Sequence, residues 1–376
     1  MILQLLRAVL LLAGCTPAPE PLAPGLSVPQ IEARIRSDVK TDRTGWATDV
    51  RDALVSARRS PDADAVCQVL AIVEQESTYR ADPAVPGLGK IARSEIEAKL
   101  SLLGPLSDLG IDWLLSPVPE GATQSFSDRL DAVKTERDLD RLFRDLVAYH
   151  QGRVPGLQEA SATLLAGRIE RLNPVTTAGS MQVSVSFAQE MGTREGVPPE
   201  TVRELLYTRT GGLHYGVARL FAHDAEYDKA IYRFADYNAG LYASRNAAFQ
   251  TQLAELMGVE LAPDGDLMAW TDAGRPSHTD SHTLGTLLAW RAVHAPDLEE
   301  RQLRRDVRLE KTHELESTET WRRIRAAWKE KTGKEPAYAR LPDVTLQSPK
   351  ITKQRTTAWF AQSVDRRYQD CLKRGK

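Results

Sequence analysis

The sequence predicts an all-α fold, and three observations carry that expectation. Apolar residues recur at helical spacing, as in Ile31, Ile35 and Val39, then Val50, Leu54 and Val55, then Val66, Val69, Leu70 and Val73. Breaks between these runs fall at proline and glycine: Asp82-Pro83, Gly104-Pro105, Ser116-Pro117-Val118-Pro119 and Asn173-Pro174. Charged stretches keep an apolar stripe, most clearly Leu130, Val133, Leu139, Leu142, Phe143, Leu146 and Val147 between Ser125 and His150. With 376 residues, 42% hydrophobic and 27% charged, the chain can form one large domain or one domain with an insert. A formal charge of −2 gives no footing for a nucleic-acid partner or a polybasic membrane patch.

Residues 1–14 read as a leader that is removed. Leu3 to Ala13 is apolar apart from Gln4 and Arg7, and it is too short to span a bilayer. Its end, Leu12-Ala13-Gly14-Cys15, resembles the lipobox of bacterial lipoproteins, which implies acylation of Cys15 as the new N-terminus. Thr16 is not the aspartate that retains lipoproteins in the inner membrane of enteric bacteria, so the expectation is the periplasmic face of the outer membrane. Residues 15–29 then form a tether, with five prolines and one glycine between Thr16 and Pro29.

The segment Val66 to Arg80 reads as a helix that delivers a carboxylate at its far end. Ser60 is expected as N-cap, with Pro61 at the first helical position and Asp62 in the first turn. At about 100° per residue, Glu76 falls at the edge of the apolar stripe, while Glu74 lies roughly a quarter-turn from its centre. Glu76 is therefore the carboxylate placed for partial desolvation and general-acid work. Residues 93–152 are helical with the breaks named above, and Leu164-Leu165 marks a further short helix. The turn Thr177 to Ser184 brings Gly179, Ser180, Met181 and Gln182, small residues with one amide, suited to close approach by a ligand. A helix with Val217, Leu220 and Phe221 buried follows Gly211-Gly212. Residues 228–240 form another, with Ala230, Ile231, Phe234 and Ala235 on its apolar face, Tyr237 and Asn238 at its end and Gly240 as the terminating glycine.

Taken together, Gln75-Glu76-Ser77, Gly179-Ser180-Met181-Gln182 and Tyr237-Asn238-Ala239-Gly240 resemble, in order, the ES, GLMQ and AYNAG motifs of soluble lytic transglycosylases. Gly211 to Phe221 is similar to the helix between the second and third motifs. The resemblance implies a goose-type lysozyme-like core over 30–82 and 176–260, with a helical insertion at 83–175 and a helical C-terminal extension at 261–376. The whole chain also resembles a group of uncharacterised bacterial lipoproteins. Three departures stand out: Glu76 and Gly179 lie more than a hundred residues apart, Ser180 replaces the family's leucine, and Asp236 replaces its alanine.

The resemblance implies cleavage of the MurNAc–GlcNAc bond of peptidoglycan with formation of 1,6-anhydro-MurNAc, with no metal or cofactor. Glu76 would act as acid and then base, and Tyr237 would hold it by a hydrogen bond. Ser77, Gly179, Ser180, Met181, Gln182 and Asn238 would shape the sugar subsites. Two other readings stand beside this one: a peptidoglycan-binding lipoprotein without turnover, and a hydrolytic muramidase that activates water through Glu74 or Asp236. Beyond Cys15, Cys67 and Cys371 remain, either as a disulfide in an oxidising compartment or as a buried thiol and a tail thiol. His278 and His282 have an H-x-x-x-H spacing, but Pro276 to Ser281 reads as a loop and no metal is expected. Residues 304–331 read as one charged helix with Trp321 and Trp328 on a packing seam, and 341–351 as an extended strap.

Overall fold

The computed structural model describes residues 22–101, 107–151, 173–271, 275–346 and 355–375. The leader, Cys15 and the helix expected at Leu164-Leu165 lie outside these residues. The fold is all-α, with two short β-ribbons. In chain order the helices are α1 (Val28–Glu32), α2 (Arg43–Ser56), α3 (Ala63–Glu76), α4 (Leu88–Ser101), α5 (Ser107–Leu115), α6 (Phe126–Ala132) and α7 (Glu136–Gln151). A ribbon of β1 (Thr177–Ala178) and β2 (Val183–Ser184) leads into α8 (Val185–Arg194), α9 (Pro199–Leu206), α10 (Arg209–Leu220), α11 (Ala230–Ala239) and α12 (Ala243–Met257). Then come α13 (His282–His294), α14 (Glu300–Val307), a 3-10 turn (His313–Ser317) and α15 (Glu319–Thr332). The chain closes with β3 (Thr345–Leu346), β4 (Arg355–Thr356) and α16 (Thr357–Arg374).

Everything that positions the site packs around α3. The sequence predicted an apolar stripe, but Val66, Cys67, Gln68, Val69, Leu70, Ala71, Ile72, Val73 and Glu74 are all buried. A helix covered on all faces is a central one, and each of its large aliphatic side chains contributes about 1.5–3 kcal/mol by leaving water. Its start is two residues later than expected. Asp62, extended at φ −73° and ψ 174°, is the N-cap and accepts from Ala65 N at 2.8 Å. A carboxylate caps as well as a hydroxyl does, and it leaves Pro61 outside the helix.

Much of the cover comes from distant sequence. Helix α16 lies along α3 and α11, where Cys371 is disulfide-bonded to Cys67 and the Tyr368 hydroxyl donates to Asp64 at 2.5 Å. Phe234 of α11 meets Tyr368 edge-on at 5.8 Å. The segment α4–α7 enters the same core through Leu88, Leu115, Phe126, Leu130, Leu139 and Leu142. The stripe expected from Ser125 to His150 is broken into α6 and α7 at residues 133–135, where Asp138 accepts from the backbone of Lys134 and Thr135.

A second core gathers Phe249, Leu253, Leu287, Trp290, Leu303, Leu315, Trp321 and Ile324. The single helix expected over 304–331 is two helices with the 3-10 turn between them. The bend lets Trp321 stack on Phe249 at 5.1 Å while Trp328 donates to Glu255 at 2.6 Å. His278 is in a loop and His282 opens α13, and Asp280 between them is held in a two-point pair by Arg304. Arg340 and Asp343 donate from their backbone to Ser244 and Pro263, fastening the strap as far as β3.

Candidate active site

Glu76 is the last residue of α3, and the backbone turns sharply just beyond it. Ser77 is the C-cap, with its hydroxyl donating to the Val73 carbonyl at 2.9 Å. Thr78 and Tyr79 follow in the left-handed region at φ +50° and +60°. Consecutive non-glycine residues there carry backbone strain that the surrounding packing must hold. Tyr79 supplies the hold: it is wholly buried against the edge of Trp46 at 5.6 Å.

Protein atoms surround the Glu76 carboxyl, although the residue keeps some solvent access. Burial pushes this carboxyl up to about 7, the nearby Glu136 carboxylate adds to the rise, and Arg367 opposes it. Among the described residues no hydrogen bond or ion pair engages it. Glu74, two residues earlier, is the opposite case. Arg36 at 3.4 Å, Arg374 at 3.5 Å and Arg367 at 3.7 Å enclose it, so it is an internal anchor and not a group facing a cleft.

The Gly179–Gln182 turn closes the β1–β2 ribbon, with Gln182 N donating to the Gly179 carbonyl at 3.0 Å. Gly179 has φ +80°, and a Cβ there would meet the Leu206 carbonyl oxygen at 2.2 Å, so only glycine fits. The turn lies directly on α10. A Cβ on Gly216, in the middle of that helix, would sit 2.3 Å from the Met181 sulfur, and one on Gly212, near its start, 3.1 Å from the Ser180 hydroxyl. Ser180 and Met181 are wholly buried. Their side chains are packed behind the turn and present no accessible surface.

The face of the wall is Gln182. Its carbonyl accepts from the Thr177 hydroxyl at 2.9 Å, and its amide donates to Glu136 at 2.9 Å. Glu136 is itself buried, in the first turn of α7, where the helix dipole favours a carboxylate.

Helix α11 ends at Gly240, φ +122°, and so presents Tyr237 to the same place. The resemblance implied a Tyr237–Glu76 hydrogen bond. Instead the phenol donates to the Met181 carbonyl at 2.9 Å, which leaves its oxygen able to accept from a protonated Glu76. Burial and the adjacent Glu76 charge push the phenol well above its usual range, so it stays protonated. The Asn238 carbonyl oxygen accepts from the Thr357 hydroxyl at 3.1 Å, tying the motif to the start of α16. Asp236 is an internal brace. It accepts from the Tyr227 hydroxyl at 2.6 Å and from Ser244 N at 2.7 Å, and it lies 2.9 Å from His223 Nε2. Neither carboxylate named for water activation, Glu74 or Asp236, is free for that task.

The three motifs are thus brought together, although they come from separate parts of the chain. A family model described as a protein of unknown function, DUF1615, matches residues 39–374. The chain belongs to this family. It is also 40% identical over 376 residues to the uncharacterized protein YaiW of Escherichia coli strain K12, covering 98% of this chain and 97% of that one. No solved structure matches.

Two residues of this DUF1615 site have no counterpart in the three motifs. Glu136 comes from the first turn of α7, buried on the same side of the helix as Leu139 and Phe143, where a charged run with an apolar stripe does not single it out. Arg367 comes from the last helix, some three hundred residues from Glu76. Both act on Glu76 through space, and no local pattern signals that. A cavity of about 650 Å³ lies elsewhere, between the start of α11, Arg340 and α16, and none of Glu76, Gln182 or Tyr237 lines it. Chemically, the site offers one carboxyl that is neutral and ionised in comparable amounts near pH 7. A phenol acceptor and an amide–carboxylate pair flank it.

Proposed function

We propose that this protein is a peptidoglycan lytic transglycosylase. The observation that supports the reading is the state of Glu76: a carboxyl raised to about 7, unengaged by hydrogen bond or ion pair among the described residues, and near enough to Tyr237 and Glu136 for their charges to interact. An acid with a pKa near the working pH can give up a proton and take one back. Glu76 protonates the oxygen leaving MurNAc C1. The resulting carboxylate then accepts the proton of the C6 hydroxyl as that oxygen attacks C1 of the same ring. Ring closure within one sugar gains from proximity and needs no water. Tyr237 accepts a hydrogen bond from the protonated acid, and Gln182 and Asn238 border the sugar.

The Cys67–Cys371 bond supports an oxidising compartment, in keeping with lipidation at Cys15 and residence on the periplasmic face of the outer membrane. Cys15→Ala should release the protein from membrane fractions, and a variant that still sediments with membranes refutes the anchor.

Glu136 favours a second reading, hydrolysis, because glycosidases that use water pair an acid with a second carboxylate. Mass spectrometry of sacculi incubated with purified protein separates the two. Fragments ending in 1,6-anhydro-MurNAc support transglycosylation, reducing ends support hydrolysis, and binding without release supports a non-catalytic peptidoglycan-binding lipoprotein.

A further inference from the structure

A second pocket, of about 350 Å³, opens where three segments meet: the loop after α10, the turn before α12 and the residues leading into the 3-10 turn. His223, Asp224, Tyr242, Lys311, His313 and Glu314 line it. It adjoins the end of the third motif, since a Cβ on Gly240 would meet Lys311 Nζ at 3.6 Å. His223 is the most informative of these residues, with only 6% of its surface exposed. Its Nε2 lies 2.9 Å from Asp236, which also accepts from the Tyr227 hydroxyl and from Ser244 N. A carboxylate only accepts, so Nε2 carries the imidazole hydrogen and Nδ1 is left with a lone pair. Burial lowers the His223 pKa, in keeping with a neutral ring, although Asp236 opposes the fall. Among the described residues that buried Nδ1 has no hydrogen-bond partner. A buried acceptor without a donor is costly to keep. In a residue that lines a pocket, the donor is expected on what fills the pocket.

The other groups define what carries that donor. Lys311 donates to Asp266, and His313 Nδ1 lies 3.4 Å from Glu316, so both basic side chains are met from outside the pocket. Asp224 and Glu314 are not met in this way: among the described residues neither carboxylate has an ion pair. The pocket therefore presents one neutral acceptor, two anionic ones and no unmatched cation. A compact ammonium, with three hydrogens around one positive charge, complements that set better than a flat guanidinium fork. We propose that this pocket binds the primary ammonium of a short aliphatic amine, which donates to His223 Nδ1 while Asp224 and Glu314 meet its charge. The inference stands apart from the proposed function, because no step at Glu76 enters it. Two sources carry this one chemistry: a free diffusible amine, and the side-chain amine of a diamino acid in a peptidoglycan stem.

Calorimetric titration of the whole protein tests this with three probes: cadaverine, diacetylcadaverine, and muropeptides that carry a free diamino-acid amine. An amine should bind and the diacetyl probe should not. Asp224→Asn combined with Glu314→Gln, both at exposed positions, should weaken amine binding by about tenfold or more, the loss expected on removing charge from its hydrogen bonds. Nitrogen NMR of histidine-labelled protein adds a readout that charge alone does not move. The Nδ1 resonance of His223, assigned by its absence from His223→Asn, should shift upfield as that atom accepts the ammonium hydrogen. Tighter binding of the muropeptide than of cadaverine assigns the stem, and equal or weaker binding assigns a free amine. No binding of either amine, a diacetyl probe bound as well as cadaverine, or undiminished affinity in the double variant overturns the inference. A His223 resonance that stays in place while an amine binds overturns it equally. If His223→Asn does not fold, the double variant and the diacetyl probe decide the matter by themselves.

Discussion

Glu74 and Glu76 stand two residues apart on α3 and have opposite roles, set by what surrounds each one. Glu76→Gln keeps the shape and removes the proton, so cleavage of sacculi should fall by about 10²–10⁴-fold. Undiminished digestion by this variant would refute the assignment. The same change has a stability signature. The Glu76 carboxyl is raised above the ordinary carboxylate range, so the fold favours its neutral form. That stabilisation is complete below the ordinary range and is lost as pH rises through about 7. Glu76→Gln should therefore raise the unfolding temperature at pH 8, by an amount worth on the order of 1–3 kcal/mol, and have little effect at pH 4. Glu136→Gln is predicted to act on the pH profile. It keeps an acceptor for the Gln182 amide but removes a negative charge that raises Glu76. The acid then loses its proton at lower pH, so the high-pH limb of cleavage should move down. A limb that stays in place would mean that Glu136 does not tune the acid.

Among the elements, α10 fits closely against the 179–182 turn, since Met181 lies where a side chain on Gly216 would have to be. Gly216→Ala should push the 179–182 turn outward and with it the carbonyl that holds Tyr237, costing about 1–3 kcal/mol by overpacking. Thermal unfolding checks the stability, and a kcat that falls more than KM rises checks the displacement. The elements also mark the limit of what sequence could tell. The existence of α3 and α11 and the glycine ending α11 were legible, because periodicity and caps are local. The start of α3 was missed by two residues, since Asp62 competes with Ser60 as a cap. The split between α14 and α15 went unseen, because a charged run at helical spacing does not record where Trp321 must turn to reach Phe249. In the site, the three motifs were readable as words. The bond from Tyr237 to the Met181 carbonyl, the burial of Ser180 and Met181, and the presence of Glu136 depend on segments that meet only in the fold.

For the whole molecule, the decisive feature is that the last helix completes the core around the first motif. The Cys67–Cys371 bond closes a separation of 304 residues, and in the chain-entropy model so long a loop stabilises by up to about 5 kcal/mol. Helix α16 also brings Arg374 and Arg367 to Glu74, and Arg367 is the charge that holds Glu76 down. Stability and chemistry therefore meet in one place. Cys371→Ser should lower the unfolding temperature and loosen the end of α16, while Phe360, Ala361 and Val364 keep its first half seated in the core. With Arg367 less closely held, the Glu76 carboxyl should rise further. The high-pH limb of cleavage should then move up, opposite in sign to the effect of Glu136→Gln. Thermal unfolding of the oxidised, reduced and Cys371→Ser forms, with a pH profile of each, reads both effects. If reduction leaves the unfolding temperature unchanged, the bond is not a brace of the core. A lower unfolding temperature with an unmoved limb would confine α16 to a mechanical role.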